Sequence, residues 1–332
     1  MLNETDRLPD GLLEAEATEL LDLLGSPTLV HLQGDKPEPL FISTLLHGNE
    51  TTGFYAVQQL LKQYRGTTLP RSVSLFIGNI EAAAVEQRRL DMQPDYNRVW
   101  PGTHHDDCAE TDMMKNVTNI MRKRKPFASV DIHNNTGLNP HYACVNILNP
   151  HCMQLAGMFG STVVYFTSPK GVQSAAFSDF CPSVVLECGQ SGQADGVTHS
   201  VRFLQAVLNT EKLLPEQPEH ISLYHTVARV TVPDTNSLGS DSNTDIHLNP
   251  VLETMNFEQL ASGTIFAELK PGIDANLVAK NESNEDVSDE FFASENSKIV
   301  LNRNATLSMY TTNEKAIRQD CLCYLMEQIH IG

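Results

Sequence analysis

The chain has 332 residues, 41% hydrophobic and 19% charged, which excludes collagen-like, disordered and coiled-coil classes and leaves ample length for a buried core. The 23 Lys and Arg against 41 Asp and Glu give a formal charge of -18. That charge repels a phosphate backbone and an anionic membrane surface alike, so neither nucleic acid nor membrane is an expected partner. The first residues lack a basic segment followed by an apolar run, and no stretch approaches the roughly 18 apolar residues of a spanning helix, which together predict a cytoplasmic protein. Seven scattered cysteines fit reduced thiols better than a disulfide framework, and Cys321-x-Cys323 lacks a second ligand pair for a metal.

In chain order, Leu13, Ala17, Leu20, Leu21 and Leu24 follow helical spacing, stopped by Gly25-Ser26-Pro27. The apolar run 40–46 predicts a strand buried on both faces. After a loop at His47-Gly48-Asn49-Glu50, residues Phe54, Val57, Leu61 and Tyr64 predict a helix. The unit repeats with a strand at 72–77 and a helix at 81–89. Further apolar runs at 128–132 and 183–186 precede a helix marked by Val197, Val201, Leu204 and Leu208. Strands alternating with helices predict an α/β domain over 1–215, its largely parallel sheet covered on both faces. Leu214 to Pro218 reads as a linker. Beyond it, alternation at Ala228, Val230 and Val232 and short strand candidates at 264–267, 298–301 and 306–309 predict a β-rich domain over 216–332. The acidic stretch 281–290 reads as a solvated loop.

The residues with chemistry sit at strand ends, where open α/β sheets place ligands. His47 and Glu50, with Gly48 permitting an unusual backbone angle between them, can direct an imidazole and a carboxylate at one point, and Zn²⁺ prefers such ligands. His133 ends another strand and can supply a third ligand. Asp131 either lies across the pleat or accepts the imidazole N–H. Glu187 ends a strongly apolar strand, where a carboxylate is costly without a partner. Beside a metal-bound water it can take a proton and return it to a leaving amine. The segment from Arg88 to Arg98 is basic in an acidic chain. An arginine there can polarise a carbonyl, while Asn97 and Arg98 can grip a substrate carboxylate.

His47-x-x-Glu50, Asn97-Arg98, Asp131-x-His133 and Glu187-x-Gly189, in this order, resemble the succinylglutamate desuccinylase and aspartoacylase family, relatives of the zinc carboxypeptidases. The resemblance implies a mixed sheet flanked by helices, with a smaller β-rich C-terminal domain that narrows access to the site. It further implies one zinc ion held by His47, Glu50 and His133, with Glu187 as general base and then acid. Asn97 and Arg98 would bind the carboxylate, and Arg88 or Arg89, preferably Arg89, would be the oxyanion donor. Tyr310 is the candidate for a substrate-touching tyrosine. The expected reaction is hydrolysis of an amide in a small N-acyl amino acid. A carboxypeptidase acting on peptides or cell-wall fragments is the alternative, and a binding protein that has lost catalysis is a third reading. The expected partner is a small carboxylate-bearing substrate, and assembly into a homo-oligomer is compatible with the sequence.

Overall fold

The computed structural model describes residues 1–215, 220–239 and 244–330, so Glu216, Gln217 and Pro218 of the expected linker lie outside the described residues. The chain forms two compact units, one of 1–134 with 141–222 and the other of 135–140 with 223–332.

In the first unit the strands are β1 (Asn3–Thr5), β2 (Thr28–Leu32), β3 (Gly34–Thr44), β4 (Leu69–Ile77), β5 (Ala128–His133), β6 (Tyr142–Val145), β7 (Thr162–Tyr165) and β8 (Ser183–Glu187). Their order in the sheet is β1-β2-β4-β3-β5-β8-β6-β7. The central four, β4, β3, β5 and β8, are parallel, while β2 and β6 run against their inner neighbours. Helices α1 (Leu20–Leu24), α2 (Thr52–Gln63), α3 (Ile80–Ala83), α4 (Ala109–Arg124), α5 (Pro150–Phe159), α6 (Gln173–Ser178) and α7 (Ala194–Asn209) flank the sheet. The fold is therefore mixed α/β, with a large mixed sheet between helices.

Leu40, Phe41 and Ile42 of β3 are wholly buried, as a central parallel strand covered on both faces requires. Burying each such side chain contributes roughly 1.5–3 kcal/mol. Phe41 stacks on Phe177 with centroids 4.4 Å apart, and Trp100 meets Phe76 and Phe177 edge-on. Tyr96, Val99 and Trp100 belong to this cluster and pin the segment carrying Asp95, Asn97 and Arg98 against the sheet. Because β3, β5 and β8 run parallel, Thr44, His133 and Glu187 end at one edge.

Two expected helices are shorter than their periodicity implies. The first is confined to α1 and a preceding 3-10 turn at Ala17–Glu19. The second stops after Ala83, and Glu86 takes a left-handed φ of 51°. The cause is tertiary: the chain after α3 wraps around Gly48, whose N–H donates to the Arg88 carbonyl at 3.1 Å. A Cβ on Gly48 would lie 2.2 Å from the Ala83 nitrogen and 2.7 Å from the Gln87 oxygen. Close approach of backbone, and not a positive φ, is what requires glycine here.

The second unit contains β9 (Ser222–Thr231), β10 (Ile246–Leu248), β11 (Gln259–Leu260), β12 (Ile265–Leu269), β13 (Val278–Lys280), α8 (Ser288–Phe291), β14 (Phe292–Glu295), β15 (Lys298–Leu301), β16 (Ala305–Ser308), α9 (Glu314–Gln319) and β17 (Cys323–Ile329). Strands β13, β9, β17, β16 and β11 pair antiparallel in that order, and β10, β12, β15 and β14 form a second antiparallel sheet. Ala228, Val230, Phe266, Phe292 and Tyr310 are among its core residues. The acidic stretch is only partly a loop, since it ends in α8. All seven cysteines are free thiols. Among the described residues no helix is long and apolar enough to cross a membrane.

Candidate active site

Three side chains from two strand ends meet at the C-terminal edge of the central strands. His47 and Glu50 lie on the loop between β3 and α2, and His133 ends β5. One donor atom from each lies within 4.8 Å of the others, and all three residues are buried. His47 Nδ1 is 2.8 Å from Glu50 Oε1, and His133 Nδ1 is 2.7 Å from Glu50 Oε2. The opposite nitrogens are also engaged: His47 Nε2 is 2.9 Å from Asp95 Oδ1, and His133 Nε2 is 2.7 Å from Asp131 Oδ2. Ser43 donates to the other oxygen of Asp131 at 2.7 Å. Asp131 and His133 are two apart on one strand, so they share a face, and the carboxylate reaches the imidazole instead of lying across the pleat.

The charges reinforce one another. Burial alone would raise the pKa of Glu50, but His47 and His133 hold it well below the usual carboxylate range. Burial disfavours a charged His133, yet Asp131 and Glu50 lift its pKa well above the ordinary histidine value. Asp95 is likewise opposed by burial and held well down by Arg88, His47 and Arg98. A pocket of carboxylates that draws a proton to His133 draws a metal cation by the same field. With each Nε2–H given to its aspartate, neutral His47 and His133 rings would turn their Nδ1 lone pairs toward a cation held beside Glu50. Two imidazoles and one carboxylate are a donor set suited to Zn²⁺, backed by acceptors that fix ring orientation. The residues fit a single metal ion.

Glu187 ends β8 in register with His133 on parallel β5 and with Tyr142 on antiparallel β6. Register partners present side chains on the same face of strands ~4.8 Å apart, so this buried carboxylate stands beside the imidazole.

The two arginines differ in placement. Arg88 Nε and Nη2 donate to Asp95 Oδ2 at 3.1 and 2.9 Å, and its Nη1 lies 3.5 Å from Glu50 Oε1. Arg89 instead donates to the main-chain carbonyl of Gln93 at 3.0 Å. The shortened α3 and the Gly48 contact turn position 88, and not position 89, toward Glu50. Asn97 is buried, and its Oδ1 accepts from the Gln173 N–H at 2.9 Å. Its Nδ2 donates to Asp131 Oδ2 at 3.4 Å, so the carboxamide braces His133 through the aspartate that its ring bonds. Arg98 is half-buried and donates to the Asn97 carbonyl through Nη1 at 2.9 Å. Tyr310 lies in the core of the second unit, 0% exposed, and its hydroxyl donates to the Asn249 carbonyl at 3.0 Å. Its side chain is enclosed within that core.

Sequence reasoning missed Asp95, Ser43 and Asn134. Asp95 carried a signal, a carboxylate two residues before Asn97 in a basic segment. Ser43 and Asn134 carried none, because small polar residues at strand ends are common.

The fold and site together define a mixed α/β protein with a metal-competent His/Glu/His centre at the C-terminal ends of parallel strands. The model of the succinylglutamate desuccinylase/aspartoacylase catalytic domain matches residues 37–214, more than half of the chain. The chain belongs to that family. Its fold is similar to succinylglutamate desuccinylase from Vibrio parahaemolyticus, with TM-score 0.61 and 15% identity, covering 91% of this chain and 86% of that one. The corresponding desuccinylase from Chromobacterium violaceum gives TM-score 0.59 and 14% identity, covering 92% and 89%. Murine aminoacylase 3 gives 0.56 and 15%, covering 90% and 97%. No curated protein matches the sequence.

Proposed function

We propose that the protein is a zinc-dependent hydrolase that cleaves the amide bond of a small N-acyl amino acid. The observation that carries this reading is Glu187 in register with His133, the residue whose Nδ1 converges with His47 and Glu50. His47, Glu50 and His133 would hold the metal, which when bound supplies Lewis acidity and brings the pKa of a water toward ~7.

This chain's residues do the rest. Glu187, buried beside His133, takes the proton of the attacking water and delivers it to the departing amine, so one carboxyl serves as base and then acid. Arg88, held by Asp95, presents guanidinium charge next to Glu50 and stabilises the oxyanion that develops on the carbonyl. Arg98 receives the substrate's free carboxylate, and Asn97 keeps His133 oriented. The negative exterior does not prevent entry of an anion, because Arg88 and Arg98 set the local field.

Metal analysis of purified protein, with turnover measured on N-acetylaspartate, N-succinylglutamate and short peptides, tests the reading. One bound zinc per chain and hydrolysis of an N-acyl amino acid are expected. Cleavage of peptides alone would replace the deacylase by a carboxypeptidase, and no turnover by a metal-loaded protein would leave a binding protein.

A further inference from the structure

Asn134 follows His133 directly and is 5% exposed. Its backbone N–H donates to Glu50 Oε2 at 3.1 Å. Its carboxamide reaches two other segments: Oδ1 accepts from the Thr52 N–H at 3.2 Å, while Nδ2 donates to Thr52 Oγ1 and to the Gly189 carbonyl, both at 2.9 Å. One residue thus joins the end of β5, the start of α2 and the turn leaving β8.

The Gly189 bond matters for chemistry. Gly189 follows Glu187 by two residues and adopts a left-handed φ of 70°, so the chain reverses immediately after the carboxylate. Cys188 N–H donates to the His133 carbonyl at 3.0 Å and extends the β5–β8 pairing past Glu187. Beyond that point the Asn134 carboxamide fastens the turn to the segment bearing Glu50 and His133. Two donors and an acceptor within one buried side chain are needed to serve three groups, a set that asparagine supplies and serine or alanine does not.

We propose that Asn134 is a positioning residue that sets where the Glu187 carboxylate stands relative to Glu50 and His133. This rests on Glu187 acting as the base. Removing the carboxamide frees the Gly189 carbonyl while leaving the backbone bond to Glu50 intact, so the base shifts and the ligand set does not. A displacement of about 1 Å at a catalytic group costs on the order of 100-fold in rate.

The test compares Asn134→Ala with Asn134→Leu, which keeps most of the volume and adds no charge but loses both donors and the acceptor. Crystal structures, zinc affinity by chelator competition, and steady-state kinetics on the best N-acyl amino acid are measured for each. Expected are a kcat lower by about 100-fold, KM and zinc affinity within about threefold, and a Glu187 carboxylate shifted while His47, Glu50 and His133 superpose. If either folded variant keeps the wild-type Glu187 position and kcat, or loses rate only in proportion to lost zinc, the inference is overturned. Should the wild type hydrolyse no N-acyl amino acid while Glu187 still moves in the variants, the proposed function fails and the positioning role stands.

Discussion

Arg88 and Asp95 form a two-nitrogen fork, Nε and Nη2 both reaching one carboxylate oxygen at 3.1 and 2.9 Å, while the third nitrogen of the same guanidinium faces Glu50. That fork makes the two adjacent arginines unequal. Arg88→Ala should lower kcat by roughly 10²–10³-fold, the effect of removing one oxyanion donor. Arg89→Ala, which loses only main-chain carbonyl contacts, should stay within about threefold of wild type, since surface-type polar contacts are worth ~1 kcal/mol or less. Steady-state kinetics on both variants decide it, and the opposite ranking would reject the assignment.

Glu187→Gln keeps the shape of the side chain and removes its ability to accept a proton. Zinc content should be unchanged, with turnover down by about 10²–10⁴-fold, the usual contribution of a general base. Metal analysis and kinetics on the same preparation check this. Unchanged turnover would remove Glu187 from the chemistry.

Asp95 bonds His47 Nε2 from behind, as Asp131 does for His133. Asp95→Asn weakens the acceptor that orients the imidazole and should reduce metal affinity about 10–100-fold. Chelator competition measures it directly, and an unaltered affinity would show that the His47 ring is held by packing alone.

Chelation should abolish activity and lower Tm, and stoichiometric zinc should restore both. A ligand bound only to the folded state at 100 times its Kd stabilises by about 2.7 kcal/mol. Differential scanning calorimetry with and without chelator reads the shift. Full activity after exhaustive metal removal would refute the metal-dependent reading.

Tyr310→Phe removes a buried hydroxyl that donates to the Asn249 carbonyl. Stability should fall by about 1 kcal/mol, with KM unchanged. Denaturant unfolding and kinetics together check it, and a raised KM at unchanged stability would place Tyr310 at the substrate.

The strands that carry the site were legible because they are buried on both faces. Runs such as Leu40-Phe41-Ile42 and Val184-Val185-Leu186 read as central strands whatever surrounds them, and the functional residues stand just past their ends. The candidate trio was legible for a related reason: His47 with Glu50, and Asp131 with His133, are local pairs whose spacing along the chain brings the members of each pair together. The helix expected at 81–89 was not, since its periodicity is real but a close backbone contact at Gly48 ends it early.

Local covalent spacing and burial patterns thus determined the α/β strands, the His/Glu/His candidates and the terminal position of Glu187. Only the tertiary structure decided which arginine faces Glu50, that Asp95 backs His47, that Asn97 braces His133, that Tyr310 is core and that Asn134 joins three segments. Each of those depends on side chains from distant segments approaching within 3 to 3.5 Å, or on burial among them, and no one-dimensional pattern specifies that.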